Sequence, residues 1–222
     1  MRPNQIHPRV LKKLATAVAP ILTVIFTKSL HSGEVPKDWR KANVAPIFKK
    51  GERYNAENYG PISLTCIALK IMEDIVTKNI MEHLECNNIL YKLQHGFRAT
   101  RSTETQLLTF VQDLYKNLRN NKQTDVIVTD FAKAFDKVPH RKLIRKLREY
   151  GINGSINQWI ESFLHQRQQR VECEGEMSSW FPVTSGVPQG SVIGPILFLV
   201  YINDLSAKLQ SKVRLFADDT IV

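Results

Sequence analysis

Val213-Arg214-Leu215-Phe216-Ala217-Asp218-Asp219-Thr220-Ile221-Val222 reads as a strand, a tight turn and a returning strand. Apolar residues flank the acidic pair, which places Asp218 and Asp219 at the tip of a hairpin. Working outward, residues 125–131 are rich in Val and Ile and form a further strand candidate, with Asp130 at its C-terminal end. If the two strands are sheet neighbours, three carboxylates converge. A hard cation such as Mg²⁺ takes oxygen ligands, commonly one or two carboxylates plus phosphate oxygens. Two such ions about 3.5–4 Å apart clamp the attacking and leaving oxygens of an in-line phosphoryl transfer. Each part alone has an ordinary reading, because Asp favours turns through bonds to its own backbone. Only their combination points to chemistry.

Ser185-Gly186-Val187-Pro188-Gln189-Gly190-Ser191 is the second unusual stretch. Two glycines flank Val-Pro-Gln and lead into an apolar helix expected over 195–209. Glycine permits close backbone approach, and a helix start offers free N–H groups, which suits a base pair or a phosphate. No Gly-Lys-Ser/Thr follows, so this is not a P-loop, and no Gly-x-Ser-x-Gly register surrounds Ser191. Helical spacing of apolar residues predicts further helices. One covers 9–30, kinked or split at Pro20. Another covers 67–85, with Leu69, Met72, Val76, Ile80 and Leu84 inward. A third covers 103–120, capped by Ser102, with Leu107, Phe110, Val111, Leu114 and Leu118 inward. Helices at 139–150 and 155–165, an extended segment at 42–48 and a hairpin over 170–183 complete the pattern. Lys49 and Lys50 open a polar loop or hairpin tip at 49–58.

Composition bounds the function. The 222 residues carry 31 Lys+Arg against 21 Asp+Glu, a formal charge of +10, which points to a polyanionic partner. With 43% hydrophobic and 23% charged residues the chain is globular, not disordered. Cys66, Cys86 and Cys173 are scattered and make no disulfide framework, so an intracellular setting is expected, in cytoplasm or nucleus. Met1 to Pro8 lack the apolar run of a signal peptide. The apolar stretch at 14–26 is interrupted by Pro20 and shorter than the ~18 residues of a membrane span, so no membrane partner is expected. The histidines show no zinc spacing.

Taken in order, five segments resemble successive motifs of reverse transcriptases of the non-LTR (LINE-like, jockey-type) retrotransposons. They are Tyr59-Gly60-Pro61-Ile62-Ser63-Leu64, Gln94-His95-Gly96-Phe97-Arg98, Asp130-Phe131-Ala132-Lys133-Ala134-Phe135-Asp136, the stretch from Ser185 to Ser191, and Phe216-Ala217-Asp218-Asp219. The resemblance implies an α/β (α+β) right-hand polymerase fold, with an antiparallel palm sheet backed by helices. Residues 1–124 would form an N-terminal extension and the fingers, and 125–222 an incomplete palm, with fingers segments interleaved in space and the thumb absent. It implies RNA-directed DNA polymerase activity on an RNA template and a DNA primer, with deoxynucleoside triphosphates and two Mg²⁺ ions, or Mn²⁺. Asp130 and Asp218 match the principal metal ligands, with Asp219 and the carbonyl of Phe131 as further contacts. Phe135 matches the aromatic gate beside the nucleotide sugar. Gln189 and Gly190 match the loop at the templating base pair. Lys49 and Lys50 fall in the fingers segment that meets the triphosphate. Arg98, Arg101, Ser185 and Gly186 are the expected nucleic-acid contacts.

Two departures stand out. Gly60 occupies a position that is usually Arg in this family, and Arg2-Pro3-Asn4 replaces a Gly-Pro-Asp-like approach. Set against the resemblance, the sequence stops at the Phe-Ala-Asp-Asp hairpin without the palm remainder, primer grip and thumb, so a degenerate or truncated element copy, or an incomplete gene model, is expected. The expectation is therefore a fragment of weak or no activity alone. The alternatives are a non-catalytic, nucleic-acid-binding relic of such a polymerase and, more remotely, a group II intron maturase. Oligomeric state is not legible in the sequence.

Overall fold

The computed structural model describes residues 7–222, so Arg2-Pro3-Asn4 lies outside the described residues. The helices are α1 (Pro8–Lys13), α2 (Ala15–Ser32), α3 (Ile67–Cys86), α4 (Thr103–Arg119), α5 (His140–Glu149), α6 (Gly154–Leu164) and α7 (Gly194–Ile202). The strands are β1 (Lys41–Phe48), β2 (Tyr59–Leu64), β3 (Val128–Thr129), β4 (Arg167–Cys173), β5 (Glu176–Met177), β6 (Phe181–Val183), β7 (Arg214–Phe216) and β8 (Asp219–Ile221). The fold is mixed α/β, as expected.

The strands make two sheets. In the larger, β1 and β2 form an antiparallel hairpin, and β4 joins β1 in parallel through Lys41↔Gln168 to Val44↔Val171. Strands β5 and β6 then pair with β4. Segments from both halves of the sequence thus share one sheet. The smaller sheet has the order β3-β8-β7 and is antiparallel throughout.

Helices α2, α3, α5, α6 and α7 share one apolar core. The α3 stripe of Leu69, Met72, Val76, Ile80 and Leu84 is buried as predicted. It packs with Leu143, Ile144 and Leu147 of α5, Trp159, Ile160 and Phe163 of α6, and Leu197 to Val200 of α7. Each such side chain contributes roughly 1.5–3 kcal/mol on burial. Helix α7 is apolar on every side, which only a buried helix sustains. It stops at Ile202, short of the expected 209. There Asn203 leaves the helix to accept from Tyr91 N–H (2.7 Å) and donate to Ile89 O (2.8 Å).

Three other expectations change. The single helix over 9–30 divides at Leu14, while Pro20 rides inside α2. The strand over 125–131 shrinks to β3, although mutual bonds of 2.9 Å between Ile127 and Val222 extend its pairing. The α4 stripe is not inward. Leu107 is 52% and Leu118 68% exposed, Phe110 and Leu114 are half-buried, and the buried residue is Gln106. Helix α4 meets β7 through polar contacts, Arg214 pairing with Asp113 and bonding Thr109 O. Its apolar stripe is only partly covered, Phe110 lying beneath the Arg214 guanidinium (5.6 Å) while Leu107, Val111 and Leu118 are exposed. No described helix is long and apolar enough to cross a membrane.

Candidate active site

The hairpin β7–β8 closes at Phe216↔Asp219, leaving Ala217 and Asp218 as a two-residue loop. Ala217 sits at φ 55°, a left-handed conformation that glycine prefers and that costs a residue with a Cβ about 1–3 kcal/mol. The turn persists because a neighbouring loop holds it. Leu93 to Gly96 run beside β7, with His95 N–H on Leu215 O (2.8 Å) and Leu215 N–H on Leu93 O (3.0 Å). The Gln94 side chain accepts from Ala217 N–H (2.9 Å) and Gly96 N–H (2.8 Å) and donates to Ala217 O (3.3 Å). Gly96 is obligatory here, since a Cβ would lie 2.2 Å from Ala217 N.

Asp130 follows directly on the β3 pair Thr129↔Thr220, which puts it at the level of Asp219. Asp218 is half-buried, and burial pushes its carboxyl above the usual range. The negative charges of Asp219 and Asp130 push it further, and the Lys49 ammonium opposes them. The three predicted carboxylates therefore interact at one end of the small sheet.

Beyond Asp130, Phe131 is exposed, and the chain turns through Lys133 at φ 56° to Phe135. The Phe135 ring stacks on Phe198 of α7 (4.8 Å, 17°) and meets Phe97 edge-on (6.2 Å, 88°). Its orientation is set from two sides. The 185–191 loop is zipped to the same segment. Gly186 N–H bonds Val138 O (2.8 Å), Val187 N–H bonds Phe135 O (2.8 Å), and the Ser185 hydroxyl bonds Asp136 O (2.9 Å). Gly186, at φ +86°, lies so close that a Cβ would stand 2.7 Å from Asp136 O.

The far side of the loop meets the larger sheet. Ser63 N–H of β2 bonds Gln189 O (2.7 Å), and Lys70 bonds Gly190 O (2.7 Å). Buried Glu73 anchors the entry to α7, accepting from Val192 N–H (2.6 Å) and Ile193 N–H (3.2 Å). Burial raises its carboxyl against those bonds and nearby Arg167, whose guanidinium burial lowers to about 10. Gln189 itself is exposed at the rim of a 290 Å³ cavity lined also by Ala42, Pro61, Ser63 and Gln169.

Lys49 and Lys50 are exposed at the β1–β2 tip. The Lys49 stem crosses Gly60, where a Cβ would lie 2.6 Å from its Cε. Arg98 points inward. It pairs with Glu85 and donates to Tyr91 O (3.1 Å), with 9% of its side chain exposed. Arg101 bonds Lys92 O (2.7 Å) and contacts His95. Both arginines brace the 91–102 loop in this geometry. Sequence reasoning missed Gln94, Phe97, Ser63 and Glu73. For Gln94 a signal existed, since a glycine two residues on, between two helices, marks a close backbone approach.

Among the described residues no three His, Cys, Asp or Glu side chains gather into a group that could itself hold a metal ion. The donor chemistry still fits a hard cation that takes one or two carboxylates and completes its shell with phosphate and water oxygens. Asp218, raised first by burial and then by the charges of Asp219 and Asp130, is a carboxylate whose ionised form a nearby cation would favour.

Residues 47–222 match the family described as "Reverse transcriptase (RNA-dependent DNA polymerase)". The chain is 30% identical over 223 residues to the "RNA-directed DNA polymerase from mobile element jockey" of Drosophila melanogaster, covering 96% of this chain and 24% of that protein. A "Probable RNA-directed DNA polymerase from transposon X-element" of the same organism is 30% identical over 219 residues, with the same coverage. The chain thus spans about a quarter of the length of these curated relatives. Among solved structures, apo telomerase from Candida tropicalis aligns at a TM-score of 0.60 and 16% identity, over 84% of this chain and 44% of that one. A telomerase complex from the same organism aligns at 0.57 and 14% identity, over 92% and 39%. These two likenesses concern the fold.

Proposed function

Because the chain belongs to the reverse transcriptase family, we propose that it forms the nucleotide-adding part of an RNA-directed DNA polymerase of a non-LTR retrotransposon. The observation that carries this reading is the meeting of Asp130 with the Asp218–Asp219 turn at one end of the β3-β8-β7 sheet. Asp130, Asp218, Asp219 and the Phe131 carbonyl would hold Mg²⁺, or Mn²⁺ in its place. When bound, such ions lower the pKa of a primer 3′-OH and neutralise charge on the triphosphate. The chain's own residues then position the reactants, which is most of what phosphoryl transfer asks of a protein.

Phe135, fixed against Phe198 and Phe97, would lie beneath the sugar and leave no room for a 2′-OH. Gln189 and Gly190 would border the templating base pair, held there by Ser63 and Lys70. Lys49 and Lys50 would face the triphosphate. Arg98, Arg101, Ser185 and Gly186 would serve the nucleic acid chiefly by shaping the loops that meet it. The +10 charge suits an RNA template and DNA primer, whose contacts weaken with salt. An intracellular setting, cytoplasm or nucleus, goes with those substrates.

The test combines filter binding of an RNA–DNA template–primer across salt concentrations with extension of the primer by excess protein. Salt-sensitive binding is expected, with only weak RNA-templated extension by the 222 residues alone, the extension being lost in Asp130→Ala while binding is kept. Binding that persists with no extension even when the chain is joined to the thumb segment of a relative, under Mg²⁺ or Mn²⁺, would favour a non-catalytic relic instead.

A further inference from the structure

We propose that Gln94 is the positioning residue of the catalytic turn: by gripping Ala217 at both its N–H and its C=O, it fixes where Asp218 stands and so sets the affinity of the site for a divalent cation. The proposal rests on the polymerase reading for the role of Asp218, while the grip is a matter of geometry. Ala217 is held at φ 55°, so the turn needs an external restraint. Gln94 supplies one from a buried position, at 2% exposure. Its Oε1 takes two N–H donors, from Ala217 and Gly96, and its Nε2 faces Ala217 O. Only a side chain with an acceptor and a donor on one rigid plane, at glutamine's reach, meets all three. Glutamate keeps the acceptor and loses the donor. Methionine keeps the shape and loses both.

The grip is tied to the body of the molecule. Arg98 donates to Gln94 O (3.4 Å) and pairs with Glu85 on α3, whose opposite face carries the core stripe. A continuous path therefore runs from α3 through Glu85, Arg98 and Gln94 to Ala217 and Asp218. The same loop sends Phe97 against Phe135. The 94–98 motif thus braces both the carboxylate turn and the aromatic beside it.

The test uses the 222-residue chain as wild type, Gln94→Met, Gln94→Glu and Asp218→Asn. Mn²⁺ alone is the probe, its binding followed by electron paramagnetic resonance, and amide exchange is followed at Ala217. In Gln94→Met the Ala217 amide should exchange at least about tenfold faster while Leu84 and Trp159 stay protected, and Mn²⁺ affinity should fall by about tenfold. Gln94→Glu keeps the acceptor for the Ala217 N–H but turns a second oxygen on Ala217 O, so Ala217 exchange and Mn²⁺ affinity should fall between those of the wild type and Gln94→Met; values equal to the wild type would overturn the two-sided grip, which keeps the test open if the methionine variant fails to fold. Unchanged Ala217 exchange in Gln94→Met, or unchanged Mn²⁺ affinity beside faster exchange, overturns the proposal. Mn²⁺ binding undiminished in Asp218→Asn overturns the polymerase reading instead, and the Ala217 exchange rate judges the grip separately.

Discussion

Trp159 in α6 and Ala217 in the acidic β7–β8 turn are both buried, yet different forces hold them. Trp159 stacks on Phe163 (5.7 Å, 11°) within a continuous apolar core and spends one N–H on the Ser29 hydroxyl (3.1 Å). Ala217 is held by a carboxamide, a glycine that lets a loop approach, and a ladder of main-chain bonds. The body gets its stability from area, which is non-directional and sums over many contacts. The turn gets its position from hydrogen bonds, which are directional and few. Stability and placement of the carboxylates are therefore separable, and substitutions should sort into one class or the other.

The largest loss of stability belongs to the body. Trp159→Ala should cost about 3–5 kcal/mol, read from the urea midpoint. Gly96→Ala strikes the turn, since its Cβ would meet Ala217 N at 2.2 Å. About 1–3 kcal/mol of stability should go, and Mn²⁺ affinity should fall at the same time. Trp159→Ala should leave affinity intact in the fraction that stays folded. A gentler probe is pH. The folded-state carboxyl of Asp218 lies above the ordinary Asp value, mainly through burial and then through Asp219 and Asp130. In metal-free protein this group therefore costs stability above its folded value and ceases to do so as pH falls to the ordinary Asp range. Asp218→Asn should raise the melting temperature at neutral pH in EDTA and lose that advantage on acidification. The smallest effect should come from Leu118→Ser on the exposed part of the α4 stripe, within about 0.5 kcal/mol, against about 2–5 kcal/mol for Leu84→Ala in α3.

Those two leucines also mark what the sequence could and could not reveal. Both sit on apolar stripes at helical spacing, and periodicity identifies such a face without saying what covers it. Leu84 is fully buried in the cluster that also holds residues of α5, α6 and α7, whereas Leu118 is 68% exposed. The acidic hairpin and the glycine loop were readable because local residue types dictate turns and close approaches. The parallel pairing of β1 with β4 joins segments more than a hundred residues apart, and no local signal encodes it. Arg98 looked like a cation for phosphate, and only the fold could disclose Glu85 beside it. Gln94 lay within a quoted motif, but its function depends on a turn that comes far later in the chain.

The most direct test of the central claim is primer extension on an RNA template with Mg²⁺, comparing the wild-type chain with Asp218→Ala under excess protein. Slow deoxynucleotide addition by the wild type, reduced on the order of 10²–10³-fold or more, to background, in the variant while template–primer binding is kept, is the expected result. Extension that proceeds equally well without the Asp218 carboxylate would contradict it.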